Sequence, residues 1–303
     1  MTTEQTVALV KALEPPAGRV DMVLDTDTYN EIDDQFALAY AIRSPERLAV
    51  KAIYAAPFHN NRSTGPADGM QKSYDEILQL LDRLDVDPTG YAYKGAEAYL
   101  QDPEKPVMSP AVEDLIARSK GYDASNRLYV VAIGAITNVA SALIADPSIV
   151  DRVVIVWLGG HALYWPHTRE FNLAQDIPSA NVVFSSGAPV VLVPCFPVAS
   201  HTLTTVYELE ENLGRSNSLC EFLIDRFKEY SDDHFAFAKE VWDVATIGWL
   251  VNPEWAPSHL DHSPVVQPDY RYSLDRRRHL IRVVDQLNRN AMFADMYRKL
   301  ANR

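Results

Sequence analysis

Between positions 25 and 34 the chain carries Asp25, Asp27, Glu31, Asp33 and Asp34. They lie between the apolar run VDMVL and QFALAYAI, whose apolar residues fall at helical spacing. Carboxylates this close repel and raise one another's pKa unless a cation or a shared proton relieves them. Asp33 or Asp34 capping the following helix accounts for one or two of them and leaves the rest. The chemistry that suits such a donor set is the binding of a hard divalent cation, with a carboxylate at hand to take a proton from water.

The elements that must position these groups follow a regular rhythm. Short β-branched runs predict strands at 19–24, 48–55, 89–93, 128–133, 153–158 and 189–194. Helical patterns follow at 33–43, 68–83, 111–119, 138–145, 178–186, 209–230, 244–250 and 290–301. Runs such as YVVAI and VVIVWL are apolar on both faces, as a parallel sheet covered on both sides requires. The expected fold is a doubly wound α/β domain spanning 1–303, with NPEWAPSHLDHSP as a surface excursion. Ligands of such sheets bind outside the carboxyl ends of the strands. There the chain places PFHNN, GAITN and GGHALYWPHTREFN, and much later EVWDVATIGWL puts Asp243 ahead of an apolar helix.

A formal net charge of -13 over 303 residues argues against nucleic-acid or anionic-membrane partners, since no broad basic surface exists to meet phosphates. The run Arg276-Arg277-Arg278 reads as a solvated face. Cys195 and Cys220 lie in apolar stretches and read as buried thiols. No secretory pattern opens the chain and no segment is apolar enough to span a bilayer, so the expected location is the cytoplasm.

Three readings of the acidic stretch can be compared. A calcium-binding EF-hand loop needs an oxygen ligand and a glycine where Tyr29 and Asn30 stand, and fails. VLDTDT matches the D-x-D-x-T motif of haloacid-dehalogenase-like phosphatases, but the later acidic pair, Asp232-Asp233, follows a helix and not a strand. The third reading uses more of the chain. Asp25-Thr26-Asp27, Asp33-Asp34-Gln35-Phe36-Ala37, Gly134 to Asn138, Gly159-Gly160, Glu170-Phe171-Asn172 and Asp243 come in the order found in inosine-uridine nucleoside hydrolases. Over residues 19–251 the chain resembles that family.

The resemblance implies Ca²⁺-dependent hydrolysis of the N-glycosidic bond of a small-molecule nucleoside. It assigns Asp27, Asp34, Asp243 and the backbone carbonyl of Thr137 to the metal, and Asp27 also to the general base. Asp33 and Asn172 match ribose-hydroxyl contacts, Glu170 a 5′-hydroxyl contact, and Asn60 or Asn61 the family's asparagine after the second strand. A homo-oligomer, dimer or tetramer, follows by analogy only.

The chain also departs from the pattern. Five residues, Thr28 to Ile32, separate Asp27 from Asp33 where three are usual, and the usual glycine is missing. Asn30 or Glu31 is expected to add a polar contact to the sugar or the metal shell. Trp242 stands where many members carry a histidine that protonates the base, and a tryptophan there tilts the expectation toward purines. The usual asparagine before Glu170 is replaced by a segment in which His167 is an alternative acid or 5′-side contact. A non-catalytic, metal-containing ribosyl-binding protein is the rival reading.

Overall fold

The computed structural model describes residues 2–214 and 216–302. Eight strands form its main sheet: β1 (Val20–Thr26), β2 (Leu48–Ala55), β3 (Ala92–Lys94), β4 (Leu128–Ala132), β5 (Val153–Leu158), β6 (Val190–Val193), β7 (Ser258–His262) and β8 (Leu280–Val284). Their spatial order is β3-β2-β1-β4-β5-β6-β8-β7, and only β7 runs antiparallel to its neighbour.

Among the described residues eleven α-helices accompany the sheet: α1 (Thr3–Ala12), α2 (Asp34–Ile42), α3 (Pro66–Arg83), α4 (Pro110–Ser119), α5 (Thr137–Ala145), α6 (Phe171–Gln175), α7 (Ile177–Ser185), α8 (Val206–Asn212), α9 (Ser218–Glu229), α10 (Val244–Val251) and α11 (Arg289–Leu300). The two-residue period of a strand sorts side chains onto the two faces. On β5, Val154, Val156 and Leu158 join one core with residues of α2, α3, α9, α10 and α11. Val153, Ile155 and Trp157 join the other, with residues of α4, α5 and α7. The fold is the expected doubly wound sheet with helices on both faces.

Three expectations need correction. Part of the supposed surface excursion, Ser258–His262, is the antiparallel edge strand β7; its half-buried SHLDH lacks the apolar alternation that announces a strand. The helix expected over 209–230 is two helices, because the chain turns through Gly214 at φ 53 and restarts where the Asn217 side chain accepts from the Cys220 amide. The third strand begins at Ala92, after a turn through Gly90 at φ 65.

The order of the strands fixes where a ligand can enter. From β1 the chain winds outward to β2 and β3, then returns to β4 on the other side of β1 and winds the opposite way. The crevice between the carboxyl ends of β1 and β4 is therefore the topological switch point. Asp27 follows β1 there and Gly134 follows β4.

Candidate active site

A cavity of about 420 Å³ opens at these strand ends, within the size range of small-molecule sites. Its lining combines carboxylates (Glu31, Asp33, Asp243), the amides of Asn30 and Asn172, and aromatic rings (Trp165, Phe196, Trp242).

Asp33 and Asp243 occupy the N-cap positions of α2 and α10, yet neither side chain makes a capping hydrogen bond. Asp34 is the first residue of α2. Carboxylate oxygens of Asp33, Asp34 and Asp243 lie within 4.8 Å of one another, all buried. Two helix N-termini thus aim partial positive charge at the trio, which offsets some of its repulsion. Burial is the main cause that lifts all three carboxyls: Asp33 is pushed up to about 6, with the Glu31 charge adding and Lys239 opposing, and Asp34 and Asp243 go well above the usual range, with repulsion from Asp33 as the second cause.

The donor set fits a hard divalent cation. Asp34 Oδ2 and Asp27 Oδ1 are buried without a hydrogen-bond partner, an arrangement whose cost a cation removes. The trio forms a candidate divalent-cation site of the Ca²⁺ kind. Asp27 is not one of these three carboxylates but feels the charge of Asp34 and Asp33; burial first, and this repulsion second, raise its pKa well above normal. Gly134 makes room for Asp27, because a Cβ there would sit 3.0 Å from its carboxylate.

The five-residue spacer is knit into the site at several points. Asn30 Nδ2 donates to Asp27 Oδ2 at 3.0 Å, and the Asn30 carbonyl accepts from Asn60 Nδ2 at 3.2 Å. Glu31 pairs with the buried Lys239 ammonium at 2.6 Å, while Arg62 donates to the Glu31 carbonyl and lies over the Tyr29 ring. Asn60 is therefore the asparagine that meets the loop; Asn61 is exposed.

Asn172 Nδ2 bridges the Ile133 and Leu158 carbonyls at 3.1 Å each, tying the ends of β4 and β5 beside the cavity. Glu170 caps α6: its two oxygens accept from the amides of Gly160, Asn172 and Leu173. Thr137 opens α5, and its hydroxyl donates to Asp176 at 2.6 Å. Trp242 packs edge-on against Phe196, and the exposed His167 lies against His161.

Three buried polar residues were given no role by the sequence, although Asn138 stands in the Gly134 to Asn138 motif. Asn138 donates to Asp25 at 2.7 Å and accepts from the Ala96 amide at 2.8 Å. Asp176 accepts from the Leu100 amide, Thr137 and Ser179. His161 lines the cavity, and only its place after Gly159-Gly160 at a strand end hinted at it.

A carboxylate-floored cavity at the switch point of a parallel sheet is the architecture of an α/β enzyme with a cation site. The chain belongs to the inosine-uridine preferring nucleoside hydrolase family, whose model matches residues 22–303. A pyrimidine-specific ribonucleoside hydrolase, RihA of Escherichia coli O9:H4, is 29% identical over 259 residues, covering 77% of this chain and 80% of the relative. Among solved structures, the plant nucleoside hydrolase PpNRh1 superposes with a TM-score of 0.75 at 22% identity, over 95% of this chain and 100% of the other. A purine-preferring ribonucleoside hydrolase from Gardnerella vaginalis gives 0.73 at 22%, over 93% and 98%.

The activity is hydrolysis of the N-glycosidic bond of ribonucleosides at this Asp-rich metal site. The phosphatase and non-catalytic alternatives are set aside, and Asp232-Asp233 is exposed, apart from the cavity. Among the described residues no helix is long and apolar enough to cross a membrane.

Proposed function

We propose that the chain hydrolyses purine ribonucleosides in preference to pyrimidine ones, with Asp27 as general base. The observation that carries the preference is the aromatic lining. Phe196 stacks on Trp165 at 6.0 Å and 15° and meets Trp242 edge-on at 5.4 Å. A bicyclic base buries more area against such rings than a monocyclic one. The names of the relatives divide between pyrimidine and purine preference, so they do not decide the matter.

In this reading Asp33, Asn172 and Asp243 receive the ribose hydroxyls, and Glu170, with its oxygens held by backbone amides, borders the 5′ side. Asp27 Oδ1 has no hydrogen-bond partner and its pKa is raised, as suits a group that must accept a proton from water. Asp27, Asp34, Asp243 and the Thr137 carbonyl would hold Ca²⁺, with Asp33 clustered beside Asp34 and Asp243. A bound divalent cation would neutralise the carboxylates and lower the pKa of water beside them. Positive charge that develops on the ribose in the transition state is stabilised by the same acidic wall.

The test is release of reducing sugar from inosine, guanosine, adenosine, uridine and cytidine with Ca²⁺ present. A kcat/KM at least about tenfold higher for the purines, or about 1.4 kcal/mol of discrimination, is expected. Equal or pyrimidine-favouring values overturn the preference, and Asp27→Ala with unchanged turnover overturns the base.

A further inference from the structure

His161 has no part in the cation site or the ribose contacts, yet it is only 4% exposed and lines the cavity. Its ring is fixed from several directions. The Phe196 amide donates to Nδ1 at 3.2 Å, and the His161 amide donates to Thr168 Oγ1 at 3.0 Å. The rings of Phe196, His167 and Trp165 stand edge-on to it at 5.3, 5.5 and 6.4 Å. Phe196 and Trp165 are two of the three rings to which the base was assigned above.

The tautomer follows from the hydrogen bonding. An Nδ1 that accepts cannot carry the hydrogen, so in the neutral ring Nε2 carries it. The ring is neutral at physiological pH: burial, and then the neighbouring His167, push its pKa down to about 4, against an opposite pull from the backbone of Gly160 and Arg169. A neutral N–H on a ring held by its packing against the cavity can stabilise developing negative charge without transferring its hydrogen.

We infer that His161 is a further catalytic residue, whose Nε2–H donates a hydrogen bond to an acceptor atom of the departing base. The inference rests on the hydrolase reading with the base among the aromatic rings. As the bond from ribose C1′ to the base nitrogen breaks, its electron pair leaves with the base. The water oxygen bonds to C1′ and gives its proton to Asp27. The base takes its own proton from solvent, and His161 keeps its hydrogen throughout. His167 is the weaker donor, because it is exposed to water.

The experiment compares inosine with 4-nitrophenyl riboside, whose leaving group departs as a stable anion without help. His161→Phe keeps the bulk and removes the donor; it should lower kcat on inosine by about 100-fold, the scale for one lost transition-state donor. On the nitrophenyl substrate the same variant should stay within about threefold of wild type. His161→Gln, whose amide nitrogen can replace Nε2, should recover much of the loss, while His161→Asn, which mimics Nδ1, should not. If His161→Phe does not fold, the Gln and Asn variants make the same comparison.

Equal losses on both substrates, no loss on either, Asn rescuing as well as Gln, or the selective loss appearing in His167→Phe instead would each overturn the inference. A wild-type protein that cleaves neither substrate would overturn the hydrolase reading itself. Wild-type turnover of both substrates with any of the first four results would sink His161 alone.

Discussion

Asn30 Nδ2 donates to one oxygen of Asp27 at 3.0 Å and leaves the other, Oδ1, buried without a partner. The spacer that sets this chain apart from its family's usual pattern therefore orients the proposed base. Asn30→Ala removes the orienting bond and leaves both oxygens free to rotate. kcat on a purine nucleoside should fall about tenfold, or about 1.4 kcal/mol, with cation content by metal analysis unchanged. Wild-type kcat would show that the loop does not orient Asp27.

Cation binding should stabilise the fold more at pH 7.5 than at pH 5. Asp25 and Asp33 are raised from 3.8 to about 7 and about 6, chiefly by burial. Between about 4 and those values the folded chain holds protons that the unfolded chain has released. Stability of the cation-free protein from these groups accordingly falls as pH rises through that window. A cation must displace the proton on Asp33, so its contribution grows over the same window, to about 2.7 kcal/mol at 100 times its Kd. The buried His161 and the half-buried His279, both lowered to about 4, slope the other way, but they do so with and without the cation. The measurement is the difference in Tm with and without Ca²⁺ at the two pH values; a larger difference at pH 5 would contradict this account.

The sheet was legible because parallel strands are buried on both faces and so read as unbroken apolar runs, VVIVWL above all. The acidic loop was legible because its charge density exceeds what helix capping can absorb. Asp33 tested that reasoning: it does stand at an N-cap, but its side chain caps nothing and turns to Asp34 and Asp243. The roles of Asn138, Asp176 and His161 were not legible, because a polar residue at a helix start or in a loop looks the same in sequence whether it is solvated or buried with its bonds made. The edge strand Ser258–His262 was missed for a related reason, its pairing being set by β8 far along the chain and not by its own pattern.

The Glu31–Lys239 pair should be worth more than a surface ion pair. Lys239 is 7% exposed and its ammonium also lies 5.7 Å from the Trp242 ring centroid. Lys239→Met should lower stability in urea by about 1–2 kcal/mol, less than a fully buried pair because the Glu31 side chain is a third exposed. Glu31→Gln should cost a similar amount, and the double variant should cost less than the two combined. Strict additivity would show that the two charges act independently.

Removing Asn138 should damage the strand ends more than any exposed loop substitution. Its amide joins Asp25 of β1, the Ala55 carbonyl at the end of β2 and the Ala96 amide after β3, all at buried positions. Asn138→Ala strands three polar groups at once. Asp25 loses the one hydrogen bond that opposes its burial, so its pKa rises further and it stays protonated to higher pH. The cost in urea unfolding should be about 2–3 kcal/mol, since each buried group left unpaired carries its own desolvation penalty. Asn138→Asp should fare no better at pH 7.5, where a second carboxylate would face Asp25 and the Ala55 carbonyl. A loss below about 0.5 kcal/mol in Asn138→Ala would mean that water takes over these bonds and that Asn138 does not hold the three strand ends together.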